Sequence, residues 1–291
     1  MHTLVLQSPG AVFAKLGPLT IRWYGVMFAV GFICASMIAS RVAKTRGIDP
    51  EQLTNFALVC FIAGIVGARL YFVALSWPEF IGRPQDIFAT WQGGLSIHGG
   101  IIGGAIAGYF YALHHKMAKR HLADLVGIIL PLGQAIGRWG NFFNSEAFGT
   151  PVPEGFPLAV FIPQESRPPQ FANYELFHAT FLYESIWDLG IFLLIYFYLL
   201  KKLSNYPGLC FLIYVALYSI GRLMIEPLRT DSIMAGSIQI PIVASFVFLL
   251  ASLLFIPVFI KMANVEKRRV TTPPSLPKSD GVAESTREQE S

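Results

Sequence analysis

The stretch LTNFALVCFIAGIVGARLYFVAL, residues 53–75, carries a single charged side chain, Arg69, in an otherwise apolar run. A helix needs about 20 mostly apolar residues to cross a hydrocarbon layer of about 30 Å, so this run reads as a membrane span. Working outward, six further stretches share that character: 21–40, 94–113, 122–140, 181–200, 209–226 and 237–260. Those at 94–113 and 122–140 depart furthest from the pattern, being glycine-rich and interrupted by His98, Asp124 and Arg138. Composition agrees. Of 291 residues, 54% are hydrophobic and 14% charged, against roughly 25% charged in ordinary soluble domains. The expected fold is an all-α polytopic membrane protein with seven transmembrane helices.

Charge sets the expected orientation. Arg41, Lys44 and Arg46 follow the first span, Lys116, Lys119 and Arg120 the third, Lys201 and Lys202 the fifth, and Lys261, Lys267, Arg268 and Arg269 the seventh. The alternate loops are sparse in Lys and Arg, and cytoplasmic loops hold the excess. The amino terminus is therefore expected outside and the carboxyl terminus in the cytoplasm. No basic n-region or small-residue cleavage site precedes the first span, which reads as an uncleaved anchor. The membrane domain is expected over 1–263, with a proline-rich extracytoplasmic arm or cap at about 141–180 between helices four and five. Residues 264–291 read as a disordered cytoplasmic tail. The net charge of +4 gives no case for nucleic acid, because the basic residues flank spans. Cys34, Cys60 and Cys210 lie inside apolar runs without metal spacing and behave as small hydrophobes. No cofactor and no metal are expected.

Ionisable groups inside a bilayer cost about 2.5–3.5 kcal/mol on insertion scales, which makes them candidates for function. With the orientation above, Tyr24, Arg69, His98, Arg138, Asn141, Asn144, Glu146, Tyr183, Glu184, Tyr218, Arg222 and Glu226 all fall in the outer half of the bundle. Asp124 and Asp188 are the exceptions. Structural alternatives stand beside several of these. Arg222 and Glu226 are four apart and suit a plain intrahelical ion pair. Gly99, Gly100, Gly103 and Gly104 suit either a tight helix–helix contact or room for a lipid chain beside His98. Arg69 suits a counter-charge as well as a ligand, and Arg138 suits snorkelling to interfacial water.

The segment Gly137-Arg138-Trp139-Gly140-Asn141-Phe142-Phe143-Asn144-Ser145-Glu146-Ala147-Phe148-Gly149 places a guanidinium, two amides and a carboxylate at a membrane boundary. It resembles the G-R-x-G-N-F-x-N-x-E-x-x-G signature of the bacterial prolipoprotein diacylglyceryl transferases at every specified position. Trp23-Tyr24-Gly25, Gly67-Ala68-Arg69, Gly94 to Gly100, and Tyr218 to Glu226 with Arg229 extend the resemblance in order along residues 20–260. One stretch departs. Where the family reads H-P-[ST]-Q-L-Y-E, this chain has Ala179 and Phe181 at the Pro and Gln positions, keeping His178, Tyr183 and Glu184.

The resemblance implies an inner-membrane enzyme that moves the sn-1,2-diacylglyceryl group of phosphatidylglycerol to the lipobox cysteine of a prolipoprotein. A thioether forms and glycerol-1-phosphate leaves. It implies Arg138 and Arg222 as essential arginines with His98 beside them. The thiol needs help to form thiolate, for which His98 is the natural base by its reference pKa and Arg222 or a phosphate oxygen the alternatives. Tyr24, Arg69, Asn141, Asn144, Glu146, Gly149, Tyr183, Glu184, Tyr218, Glu226 and Arg229 are then expected around the substrates. The expected partners are phosphatidylglycerol, the prolipoprotein signal peptide and the bilayer itself. Two rival readings are a lipid transporter or scramblase, and a non-catalytic membrane assembly subunit. The first would favour repeated halves and midplane sites, and neither is visible. The decisive expectation is geometric: Arg138 and Arg222 must meet.

Overall fold

The computed structural model describes residues 3–17, 19–90 and 93–271. Three short strands come first, β1 (Leu4–Gln7), β2 (Val12–Leu16) and β3 (Leu19–Arg22), followed by helices α1 (Trp23–Thr45) and α2 (Pro50–Leu75). A single turn, α3 (Trp77–Phe80), leads through a loop to α4 (Ile97–His114) and α5 (Lys119–Phe143). Strands β4 (Leu158–Phe161) and β5 (Leu176–His178) form the arm. Helix α6 (Thr180–Leu193) continues through a π-helical stretch, Leu194–Leu199, into α7 (Leu200–Lys202). The chain closes with α8 (Leu209–Ile225), the hairpin strands β6 (Met234–Ala235) and β7 (Ile238–Gln239), and α9 (Ile240–Thr271).

The protein is thus mainly helical. Among the described residues, five helices are long and apolar enough to cross a membrane: Trp23–Thr45, Pro50–Leu75, Thr180–Lys202, Leu209–Leu228 and Ile240–Lys267. The segments expected at 94–113 and 122–140 are also helical, as α4 and α5, but stand outside that set. Glycines and His98 dilute the first, and Lys119, Arg120, Asp124 and Arg138 the second. The helices turn their apolar side chains outward. Phe246, Phe248, Leu253 and Leu254 on α9 and Phe197 on the π-helical stretch are all exposed, the reverse of a soluble fold and the pattern a lipid-facing surface needs.

Local signals explain the helix ends. Asp49 accepts a hydrogen bond from the Glu51 amide at 3.0 Å and Pro50 occupies the first turn of α2, a favourable start because proline has no amide to leave unpaired. Before α8 the chain turns at Gly208, with φ 91°. The Asp124 carboxylate accepts from the amides of Gly208 and Cys210, each at 2.9 Å. Asp124, an outlier to the outer cluster in the sequence, therefore caps the amino-terminal end of α8.

Helix α5 is the hub, packing on α1, α6 and α8, while α9 lies on α8 and α2 packs chiefly on α4. Glycine makes the α2–α4 contact. A Cβ on Gly67 would stand 2.5 Å from the Gly99 carbonyl oxygen, and one on Gly103 would stand 2.6 Å from that of Ala63. These glycines serve backbone approach rather than space for a lipid chain.

The all-α expectation needs one correction, since the non-helical parts carry short strands. In the arm, β4 pairs antiparallel with β5 and parallel with β1, joining residues 4–7 to residues 158–161. Phe148, Val160, Ile162, Phe177 and Phe181 form its core. The disordered-tail boundary at 264 also moves. Helix α9 runs to Thr271, through residues such as Glu266 and Lys267 that favour helix, and Glu266 Oε1 receives Arg120 Nη2 at 2.5 Å. The rest of that expectation, 272–291, lies outside the described residues.

Candidate active site

The site is built around Glu184, in the first turns of α6 and only 3% exposed. A buried carboxylate needs compensating charge and hydrogen bonds, and three arginines supply them. Arg138, near the carboxyl-terminal end of α5, contacts Oε2 through Nη2. Arg222, near the end of α8, donates from Nη1 to the same oxygen at 3.0 Å. Arg229, beyond α8, donates from Nη1 to Oε1 at 2.6 Å. Two helices and a loop thereby converge on one side chain.

The second layer is ionic as well. Arg222 Nη2 pairs with Glu226 Oε2 one turn on, so the intrahelical pair exists, yet it accounts for half of the Arg222 fork. Glu226 is 1% exposed, and its Oε1 accepts from Ser232 Oγ at 2.7 Å. Arg229 is held by Asp231 through Nε at 3.0 Å and Nη2 at 2.7 Å, a bidentate grip with planar geometry. Charge is balanced within this group, three guanidinium ions against Glu184, Glu226 and Asp231. Among the described residues Arg138 meets the cluster through Nη2, leaving its other donors for a ligand.

The signature segment ends α5 and turns sharply. Ser145 and Ala147 have φ of 55° and 56°, a left-handed region that costs non-glycine residues about 1–2 kcal/mol and that clusters at functional sites. Between them Glu146 is exposed, and its Oε1 accepts from Asn141 Nδ2 at 2.8 Å. Tyr24, exposed at the start of α1, lies within electrostatic reach of Glu146 and Arg138, and its ring covers Gly140 so closely that a Cβ there would stand 2.9 Å away. Tyr218, one turn before Arg222, lies within electrostatic reach of Arg222 and Arg138. Gly149 bridges to Arg229 across the backbone; a Cβ on it would meet His178 Cβ at 2.8 Å and the Leu228 carbonyl oxygen at 2.9 Å.

Other expected residues stand apart. His98 is exposed at the start of α4, its ring centroid 6.2 Å from that of Tyr71, with no bond to the arginine cluster. Arg69 is taken up by backbone carbonyls: Ile87 and Gly93 at 2.8 Å, Gly94 at 2.9 Å and Asp86 at 2.5 Å. It clamps the loop before α4. Tyr183 points to the arm, its hydroxyl 3.4 Å from His178 Nδ1. Asn144 caps α5, with its Oδ1 buried and unpartnered among the described residues.

Asp231 and Ser232 escaped the sequence reading although each lies within six residues of Glu226; a charged residue two places from Arg229 was the available signal. Asp188, one turn deeper than Glu184 and 2% exposed, lies within electrostatic reach of Arg138, Glu184 and Arg222, with Oδ2 lacking a hydrogen-bond partner among the described residues.

These features define a helical, multi-pass membrane protein with a buried arginine–carboxylate cluster where its helices meet a small β-sheet arm. Residues 11–258 match the family model described as prolipoprotein diacylglyceryl transferase, and the chain belongs to that family. It is similar to the phosphatidylglycerol–prolipoprotein diacylglyceryl transferase of Trichormus variabilis, 46% identical over 245 residues that cover 83% of this chain and 86% of the relative. The enzymes of the same name from Synechococcus elongatus (44% over 248 residues, 84% and 85%) and Gloeobacter violaceus (40% over 233 residues, 80% and 86%) are similar as well.

Proposed function

We propose that this chain transfers the sn-1,2-diacylglyceryl group of phosphatidylglycerol to a prolipoprotein cysteine. One observation carries the reading at the level of residues: Arg138 and Arg222, from separate helices, share one oxygen of Glu184. The cysteine sulfur attacks the sp³ glycerol carbon that bears the phosphate ester. The C–S bond forms as the C–O bond breaks, and the electron pair leaves on the phosphate of glycerol-1-phosphate. Negative charge therefore grows on the leaving oxygens, where oriented guanidinium donors stabilise the transition state more than the ground state. The phosphate takes up the donors of Arg138 and competes with Glu184 for Arg222. Glu226 and Arg229 keep the remaining partners in place, and Asn141, Glu146 and Tyr24 line the approach.

A free thiol has a pKa near 8.5, so its proton needs an acceptor. His98 takes that role in this proposal, exposed at the start of α4 where a tethered substrate can reach it. A two-sided arrangement of this kind suits a lipid and a peptide that enter separately.

The same reading places seven crossings in the membrane, with the cluster towards the outer leaflet of a bacterial inner membrane. Strand pairing supports it. Residues 4–7 pair with 158–161, so an even number of crossings separates them, and α4 and α5 cross together or not at all. Helix α5 touches the start of α8 through Asp124 and reaches Glu184 beside Arg222 through Arg138; it is therefore as deep as α8. The loop excess of Lys and Arg supplies the direction.

The test is direct. Purified protein is incubated with phosphatidylglycerol and a lipobox peptide, and diacylglyceryl-modified cysteine is sought by mass spectrometry. Absence of product with the wild type defeats the enzyme reading. Arg138→Ala is expected to lose product while keeping its fold, and full activity in that variant removes Arg138 from the mechanism.

A further inference from the structure

At the other end of the bundle, between the carboxyl-terminal end of α1, the first turn of α5 and the α6–α7 segment, lies a cavity of about 540 Å³. Thr45, Arg46, His121, Tyr196, Lys201 and Ser204 line it. His121 and Arg138 are 17 residues apart on α5, about 26 Å at the rise of an α-helix, so this cavity is separate from the arginine cluster.

Its charge is one-sided. Among the described residues no acidic one lines it. Arg46 is held by two carbonyls, Nη1 to Ser204 and Nη2 to Leu200, each at 3.0 Å; these fix the fork in place without supplying a counter-charge. Asp124 is close enough to act on Arg46 and His121, but its two oxygens accept the amides of Gly208 and Cys210. Lys201 is exposed and has no acidic partner among the described residues. The Nδ1 atom of His121 is buried without a hydrogen-bond partner among the described residues. The hydroxyls of Thr45, Tyr196 and Ser204 add polar groups to the lining. An oriented guanidinium, a lysine, an imidazole and hydroxyls around one space make a receptor for phosphate oxygens.

Size and surroundings select among phosphates. The volume falls in the range of ligand pockets, and exposed Leu194, Phe197 and Tyr198 continue along the same helix from the rim. A headgroup in the cavity would leave its acyl chains against those side chains. Basic pockets between helices on the Lys/Arg-rich side of a membrane protein are suited to anionic headgroups.

We propose that this cavity binds the phosphodiester headgroup of an anionic phospholipid in the leaflet opposite the arginine cluster, tying α1, α5 and α6–α7 together at that end. The site is distinct from the one proposed for catalysis and does not depend on it.

The experiment uses the full chain in detergent, with bound lipid counted by native mass spectrometry and stability followed by thermal unfolding. The probes are phosphatidylglycerol, phosphatidylcholine and inorganic phosphate. Wild type should retain one more phosphatidylglycerol than the His121→Gln/Lys201→Gln double variant. Lys201→Gln alone, at an exposed position that tolerates change, should weaken that lipid about fivefold, the effect of one basic residue at an anionic surface. Phosphatidylcholine should not replace it, and transfer activity at saturating substrate should stay unchanged. Equal retention of the two lipids, or equal phosphatidylglycerol counts in wild type and Lys201→Gln, would overturn the proposal. Protection of the wild type by inorganic phosphate, with no further gain from lipid, would assign the cavity to free phosphate and overturn the lipid source.

Discussion

Replacing Glu184 by glutamine tests the arrangement at its centre. The wild-type carboxylate, 3% exposed, takes Arg138 and Arg222 on Oε2 and Arg229 on Oε1. Glutamine keeps one acceptor oxygen and turns an amide donor towards guanidinium donors. Three cations then face two carboxylates, Glu226 and Asp231. Removing one partner from a buried ion pair costs about 3–5 kcal/mol, and at about 2–4 °C per kcal/mol for a chain of this order the melting temperature should fall by roughly 10 °C. Arginines that lose their setting should also lose transition-state stabilisation, by about 10²–10³-fold in kcat, the scale of one misplaced oxyanion donor. Tryptophan fluorescence during heating in detergent reads the first effect, and mass spectrometry of the modified peptide reads the second. Phosphatidylglycerol brings an anion of its own, so it should stabilise Glu184→Gln more than the wild type. A variant that melts within about 2 °C of the wild type and turns over at the same rate would refute the idea that Glu184 organises these arginines.

Four further outcomes are expected. Gly149→Ala must push a methyl against His178 Cβ and the Leu228 carbonyl, at 2.8 and 2.9 Å; this should cost about 1–3 kcal/mol of stability and lower activity by moving Arg229, seen by melting and transfer assays. Arg69→Lys replaces a fork that holds four carbonyls with a single ammonium, so stability should drop by about 3 kcal/mol and the chain at residues 86–90 should become protease-sensitive. Burial holds the His178 imidazole below its usual range, which means the fold binds fewer protons there than the unfolded chain does. Its contribution is full above pH of about 6.5 and is lost as pH falls towards the lower folded value; His178→Gln should flatten the acid side of a stability–pH curve. Single cysteines at Glu165 and Lys116, in a background without Cys34, Cys60 and Cys210, should react with an impermeant maleimide from opposite sides of the membrane; labelling from one side would refute the proposed topology.

What the sequence made legible follows from cost. Arginine and glutamate inside apolar helices stand out because a bilayer penalises them, which is why Arg138, Arg222, Glu184 and Glu226 are candidates from the sequence alone. Their expected depth came from loop charge; their meeting at Glu184 shows that they lie together. The partnership itself was not readable, because Arg138 and Glu184 are 46 positions apart and nothing local pairs them. Arg69 looked alike in composition, yet it serves carbonyls of a nearby loop; the sequence shows a charge but not what satisfies it. The glycines beside His98 left two readings open, and only the close backbone of α2 decided between them. Asp231 went unnoticed because a charged residue outside a span carries no penalty to mark it.

The parallel pairing of β1 with β4 has a consequence for how this molecule is assembled. Residues 4–7 emerge from the ribosome long before residues 158–161, and every helix from α1 to α5 comes between them. In the seven-crossing arrangement proposed above, the early strand waits unpaired while α1, α2, α4 and α5 are inserted, and contacts so distant in the chain form slowly. Its docking then acts as a latch: a copy with any one of those helices left out or inverted would strand the two partners on opposite faces of the bilayer and leave the arm without its third strand.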